Sequence, residues 1–220
     1  MDLVSLKLTA ALATSTTVIL TVFGVPLAYW LARTRWSGKF LIESIVALPL
    51  ILPPTVLGFY LLMATGPQST VGRLYESATG SRLPFTFTGI ALGSVLYNLP
   101  FAVRPFQAAF SSMNFRLIEA SWCLGESRWR TFWRLTVPLC WPGLLAGMVL
   151  TFAHTVGEFG VVLMIGGNIP GITRTLSVCI YDDVQALNYV SASRTAIVLV
   201  LFSLSVLCLT HILSHRKWPK

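Results

Sequence analysis

Two ionisable side chains inside an apolar run are the first places where chemistry could reside. His154 and Glu158 are four residues apart, so a helix sets them on one face. Charge at the middle of a bilayer costs about 2.5–3.5 kcal/mol on insertion scales, and such groups face the bundle interior and find partners. The pair could hold a metal, relay protons or form a hydrogen-bonded packing contact. The metal reading is short of ligands. The chain has only two other histidines, His211 and His215, both at the end of its last apolar run, and no H-E-x-x-H, whereas membrane metalloproteases need a fuller set. Cys123, Cys140, Cys179 and Cys208 are scattered without a C-x-x-C and read as packing residues. No Gly-x4-Gly-Lys-[Ser/Thr] phosphate loop occurs, so this chain does not itself grip ATP.

The elements that position these residues follow from composition. Of 220 residues, 55% are hydrophobic and 11% charged, against about 25% charged in soluble domains. An all-α, lipid-embedded helix bundle is the class that survives. Stretches near the ~20 residues needed to cross a bilayer run over 8–31, 40–64, 85–110, 139–165 and 194–213, giving about five transmembrane helices in a single domain over 1–220. Positive charge precedes the apolar h-region of a cleavable leader. Here Arg33, Arg35 and Lys39 follow the first run, which is therefore expected to stay in the mature protein.

With five spans the termini lie on opposite sides, and the basic residues orient the bundle. One face collects Arg33, Arg35, Lys39, Arg116, Arg128, Arg130, Arg134, Arg216, Lys217 and Lys220; the other has Lys7, Arg73, Arg82, Arg174 and Arg194. The first face is read as cytoplasmic, with the N-terminus outside and the C-terminus inside, and the basic excess needs no nucleic acid. Arg104 alone falls within a span. Prolines 49, 53 and 54 in the second span, and 100 and 105 in the third, each remove a backbone donor. Such breaks are tolerated where other helices or a water-filled cavity satisfy the freed carbonyls. Pro53, Thr55, Asn98 and Glu158 are the candidates for a lining or its supports, with helix bending and packing as the competing reading. Gly157 and Gly160 flank Glu158 and are expected to admit a neighbouring backbone.

The cytoplasmic loop 111–138 is not a random connector. Ile118, Trp122, Gly125, Trp129, Phe132 and Trp133 recur at helical spacing between Arg128, Arg130 and Arg134. This describes an amphipathic helix or helix pair that suits either the membrane interface or a groove on a partner.

Within that loop, Glu119-Ala120-Ser121, three residues to Gly125, nine to Leu135, then Val137-Pro138 resembles the E-A-A-x3-G-x9-I-x-L-P signature of ABC importer permeases. Ser121, Leu135 and Val137 are mild departures. Gly157-Glu158-Phe159-Gly160, Asn168-Ile169-Pro170-Gly171, Leu52-Pro53-Pro54 and Pro26 to Arg33 look like the molybdate permeases, and sulfate permeases share some of these elements. The resemblance covers nearly the whole chain. It implies the fold of a type I importer's membrane subunit in a bacterial inner membrane. It also implies a homodimer working with two ABC ATPase subunits and a periplasmic oxyanion-binding protein. The permease would need no cofactor of its own, ATP and Mg being used by the ATPase. Glu119, Ala120, Ser121, Trp122, Gly125, Trp129 and Pro138 would couple to that ATPase, with Gly125 breaking two short helices. A sulfate, thiosulfate or tungstate permease, and an ATPase-independent anion carrier, are the alternatives.

Overall fold

The computed structural model describes residues 2–215, with side chains described as far as Cys208; Arg216, Lys217 and Lys220 lie outside the described residues. Every regular element among them is helical. Helix α1 spans Leu3–Arg33, about 46 Å at 1.5 Å per residue. Asp2 caps it, accepting from the Val4 N–H at 2.9 Å and the Ser5 hydroxyl at 2.8 Å.

The second apolar stretch does not form one straight helix. Helix α2 (Lys39–Ala47) runs through a 3-10 turn at Leu48–Leu50, and α3 (Pro54–Thr65) then leaves at 109° to it. Pro53 is extended at φ −55, ψ 135, as a residue preceding proline favours. Helix α4 (Thr70–Thr79) is a short polar connector. Helix α5 (Phe87–Ser111) is the centre of the bundle, packed on α1, on α8 (Val137–Val156) and on α9 (Gly160–Gly166). It passes Pro100 and Pro105 without ending.

Between α5 and α8 lie α6 (Phe115–Cys123) and α7 (Arg128–Thr131). Helix α7 continues through a wide π turn at Phe132–Thr136 directly into α8, so that Arg128–Val156 is one helical run of 29 residues. In that turn the Val137 N–H reaches Phe132 O, the five-residue spacing that marks a π bulge, just ahead of Pro138, which has no N–H to donate. The predicted span 139–165 therefore begins eleven residues early and breaks at 157–159. Helices α10 (Leu176–Gln185) and α11 (Tyr189–His215) complete the described residues.

Among the described residues three helices are long and apolar enough to cross a membrane, namely Leu3–Arg33, Arg128–Val156 and Tyr189–Cys208, and counting the bent α2–α3 pair as one broken span gives four. Helix α5 has the length, but Gly, Ser, Asn, Pro, Arg and Gln dilute its hydropathy. Five spans is thus an approximate count. Two cores hold the bundle. One, at the α1 C-terminal end, centres on Leu31, Phe106, Phe110 and Leu144. The other, towards the α1 N-terminus, centres on Leu12, Ile90, Val162 and Ile165. Val18, Val22 and Phe23 of α1 and Val200, Leu201 and Leu204 of α11 point outward, which suits hydrocarbon rather than water.

Candidate translocation path and coupling elbow

Asn98 organises the polar interior. It is fully buried on α5, and its Nδ2 donates to Ser94 O at 2.8 Å and to Glu158 Oε2 at 2.9 Å. Its Oδ1 lies 2.8 Å from His154 Nδ1. An amide oxygen only accepts, so His154 carries its proton on Nδ1. His154 stacks on Phe101 with centroids 3.7 Å apart and lies 5.4 Å from the Tyr97 ring. Glu158, only 4% exposed, sits in the break between α8 and α9 with the Asn98 amide and the Ser94 hydroxyl beside it. All these partners are neutral. One amide thus fastens α5 to the last turn of α8 and to the hinge beyond it.

This cluster borders a cavity of about 520 Å³ lined by Thr55, Tyr97, His154, Gly157, Glu158 and Gly160, among others. The structure brings together three of the four sequence candidates, with Thr55 and Glu158 on the wall and Asn98 behind it. Pro53 stands at the N-cap of α3, and Pro54 takes the place on the wall. Sequence reasoning did not single out Ser94 or Tyr97. The available signal was spacing, since Ser94 and Asn98 are four apart and Tyr97 and Phe101 repeat that interval one face over.

The two glycines beside Glu158 differ. A Cβ on Gly160 would meet Pro54 Cβ at 2.8 Å, whereas one on Gly157 would meet nothing closer than His154 O at 3.8 Å. Gly160 admits the α3 backbone as expected. Gly157 is exposed and serves as the α8 C-cap, so close packing there is corrected to Gly160 alone. Among the described residues no group of three His, Cys, Asp or Glu could hold a metal ion.

At the opposite end of α8 the α6–α7 elbow is built by local capping. Asn114 accepts from the Arg116 N–H at 3.0 Å, and Ser127 from the Arg130 N–H at 3.3 Å. Gly125 turns the chain between them at φ +85 with nothing near its missing side chain, a left-handed conformation natural to glycine. The Ser121 and Thr131 hydroxyls meet at 2.9 Å across the elbow. Arg33, at the end of α1, lies over the Phe115 ring at 5.0 Å and the Tyr29 ring at 5.9 Å, tying α6 to α1. Arg128 lies over Trp122 at 5.5 Å.

The elbow's outer surface is apolar and open. Leu124 is 84% exposed and Trp129 is 70% exposed, and Trp122, Glu119, Ala120 and Gly125 are exposed beside them. Ser121 is half-buried as a staple. Pro138 is set apart, on the first turn of α8, about 15 Å along the helix from Arg128. Two short helices were expected around Gly125; only α6 is short, because α7 opens the long run to Val156.

A polytopic helical bundle with a cavity beside its central helix, and an apolar elbow projecting between α5 and α8, is the architecture of a membrane transport subunit. The chain belongs to the family described as binding-protein-dependent transport system inner membrane component, whose model matches residues 24–219. It is 52% identical over 206 residues to the molybdenum transport system permease protein ModB of Azotobacter vinelandii, covering 94% of this chain and 91% of that one. It is 32% identical over 211 residues, 96% and 79% of the two chains, to a probable sulfate transport system permease of Chlorella vulgaris. In fold it is similar to a bacterial alginate ABC transporter solved with its alginate-bound periplasmic protein, with TM-score 0.76, 18% identity, and 97% of this chain and 78% of that one covered.

Proposed function

We propose that this chain is the inner-membrane permease of an ATP-driven molybdate importer, working as a homodimer with two ATPase subunits and a periplasmic oxyanion-binding protein. The observation that carries the mechanism is the elbow: a Leu124 and Trp129 surface left open at one end of a helical run whose other end is the Glu158 hinge. The 52% identity to a molybdenum permease, against 32% to a sulfate permease, supports molybdate as cargo. Glu119, Ala120, Ser121, Trp122, Gly125 and Trp129 are assigned to ATPase docking, and Pro138 to shaping the lever behind it. Thr55 is assigned to the path wall, with Pro53, Asn98 and Glu158 supporting it.

The physics requires an external engine. A dianion entering a cell held at about −100 mV meets about 4.6 kcal/mol of electrical work before any concentration term, so an open pore would leak it outward. Alternating access avoids this. ATP-driven closure of the ATPase pair draws the elbows together, and the rigid Arg128–Val156 run transmits that movement to the hinge. With the N-terminus periplasmic and the elbow cytoplasmic, the cavity by Asn98 faces alternately out and in.

Radiolabelled molybdate uptake by proteoliposomes holding the permease, its ATPase and its binding protein tests the reading. Uphill uptake that requires ATP and is outcompeted by molybdate before sulfate is expected. ATP-driven uptake that prefers sulfate would reassign the cargo, and uphill uptake without any ATPase would overturn the mechanism.

A further inference from the structure

The exposed face of α5 continues beyond the Asn98 cavity. Tyr97, Phe101, Arg104, Ala108 and Ser111 are spaced four, three, four and three residues apart and form one stripe. The half-exposed Tyr97 lines the first cavity. Arg104, Ala108 and Ser111 are exposed and line a second cavity of about 370 Å³ with Glu43, Val46 and Gln107. Arg104 lies seven residues from Tyr97, about 10 Å along the helix towards the elbow end.

The charges in the second cavity are unequal. Glu43 accepts a hydrogen bond from Gln107 Nε2 at 2.7 Å and is paired with Lys39 at 3.7 Å. Arg104 has no hydrogen bond or ion pair among the described residues. A cation within a membrane helix is costly and marks a water-filled route or an ion path. Its guanidinium fork matches two oxygens of a tetrahedral oxyanion. The first cavity, by contrast, holds no lysine or arginine: Glu158 stands on its wall with one carboxyl oxygen held by the Asn98 amide, and the donors left for a cargo are the Thr55 and Tyr97 hydroxyls.

We infer that Arg104 is the cationic oxyanion station on the path, a release site at the elbow-side mouth reached after the Asn98 cavity, which has no lysine or arginine on its wall. A single guanidinium lowers the cost of bringing a dianion through an apolar bundle, yet without a second cation it does not trap the cargo. The inference rests on the molybdate-importer reading above.

The readout is molybdate delivered per ATP hydrolysed by the complete importer in proteoliposomes. Arg104→Gln is expected to lower that ratio roughly tenfold, the size of one lost charge-assisted contact. Arg104→Lys should recover most of it, and Arg104→Glu should abolish delivery. The Glu43→Gln, Arg104→Gln double variant should be as poor as Arg104→Gln alone. A wild-type ratio in Arg104→Gln overturns the inference, as does a fall in uptake and ATP turnover together with the ratio kept, which marks a structural role. Recovery in the double variant also overturns it, because it marks an ion pair, within the chain or with a second copy. If the wild-type importer moves no molybdate, the functional reading fails instead.

Discussion

At the scale of single residues, the interior is held by polar contacts that are costly to break. Removing Asn98 leaves the buried Glu158 carboxyl and the half-buried His154 N–H without their shared partner. Asn98→Ala is expected to cost about 2–3 kcal/mol, in the range for leaving buried polar groups without their hydrogen bond. Thermal unfolding of the detergent-purified protein checks this, with a much smaller shift for Ser94→Ala as the comparison. Equal shifts in the two variants would contradict the bridging role. The glycine pair gives a second contrast. Gly160→Ala drives a Cβ against Pro54 and should destabilise by about 1–3 kcal/mol, as overpacking does. Gly157→Ala enters open space and should be near neutral in the same melting assay.

At the scale of elements, the Arg128–Val156 run is the unit of interest. It spans about 43 Å and has the elbow at one end and the Glu158 hinge at the other, so a force on Trp129 has a stiff route to the cavity. The wide turn at Phe132–Thr136 lets the run pass Pro138 without breaking. Gly125→Asp should abolish ATP-dependent uptake while membrane insertion persists. It puts a side chain at φ +85 and a charge on the apolar knob, where no crowding competes as an explanation. Uptake and co-purification with the ATPase measure it, and normal values for both would remove the docking role.

At the scale of the molecule, the proposed orientation puts the elbow, with its Arg116, Arg128, Arg130 and Arg134, on the cytoplasmic side. A reporter joined to the C-terminus is expected to read as cytoplasmic, and one at the N-terminus as periplasmic. A periplasmic C-terminal signal would invert every assignment of the path's two ends. The outward apolar faces of α1 and α11 leave surface for lipid, and α5 carries both cavities.

Hydropathy and charge in the sequence alone were enough for the helical membrane class, the approximate spans and the amphipathic loop, because insertion energy depends on composition over some twenty residues. The Gly125 break was legible for the same local reason, since few residues other than glycine adopt its conformation cheaply. Tertiary structure decided the rest. That Asn98 joins His154 to Glu158 depends on α5 crossing the end of α8, sixty residues away in sequence from Glu158. That Gly160 but not Gly157 is crowded follows from which helix lies opposite, and the proline break marked in the sequence did not carry the 109° at which α2 and α3 part. Periodicity along one helix carries no information about its neighbour, and it is packing against that neighbour that creates the cavities.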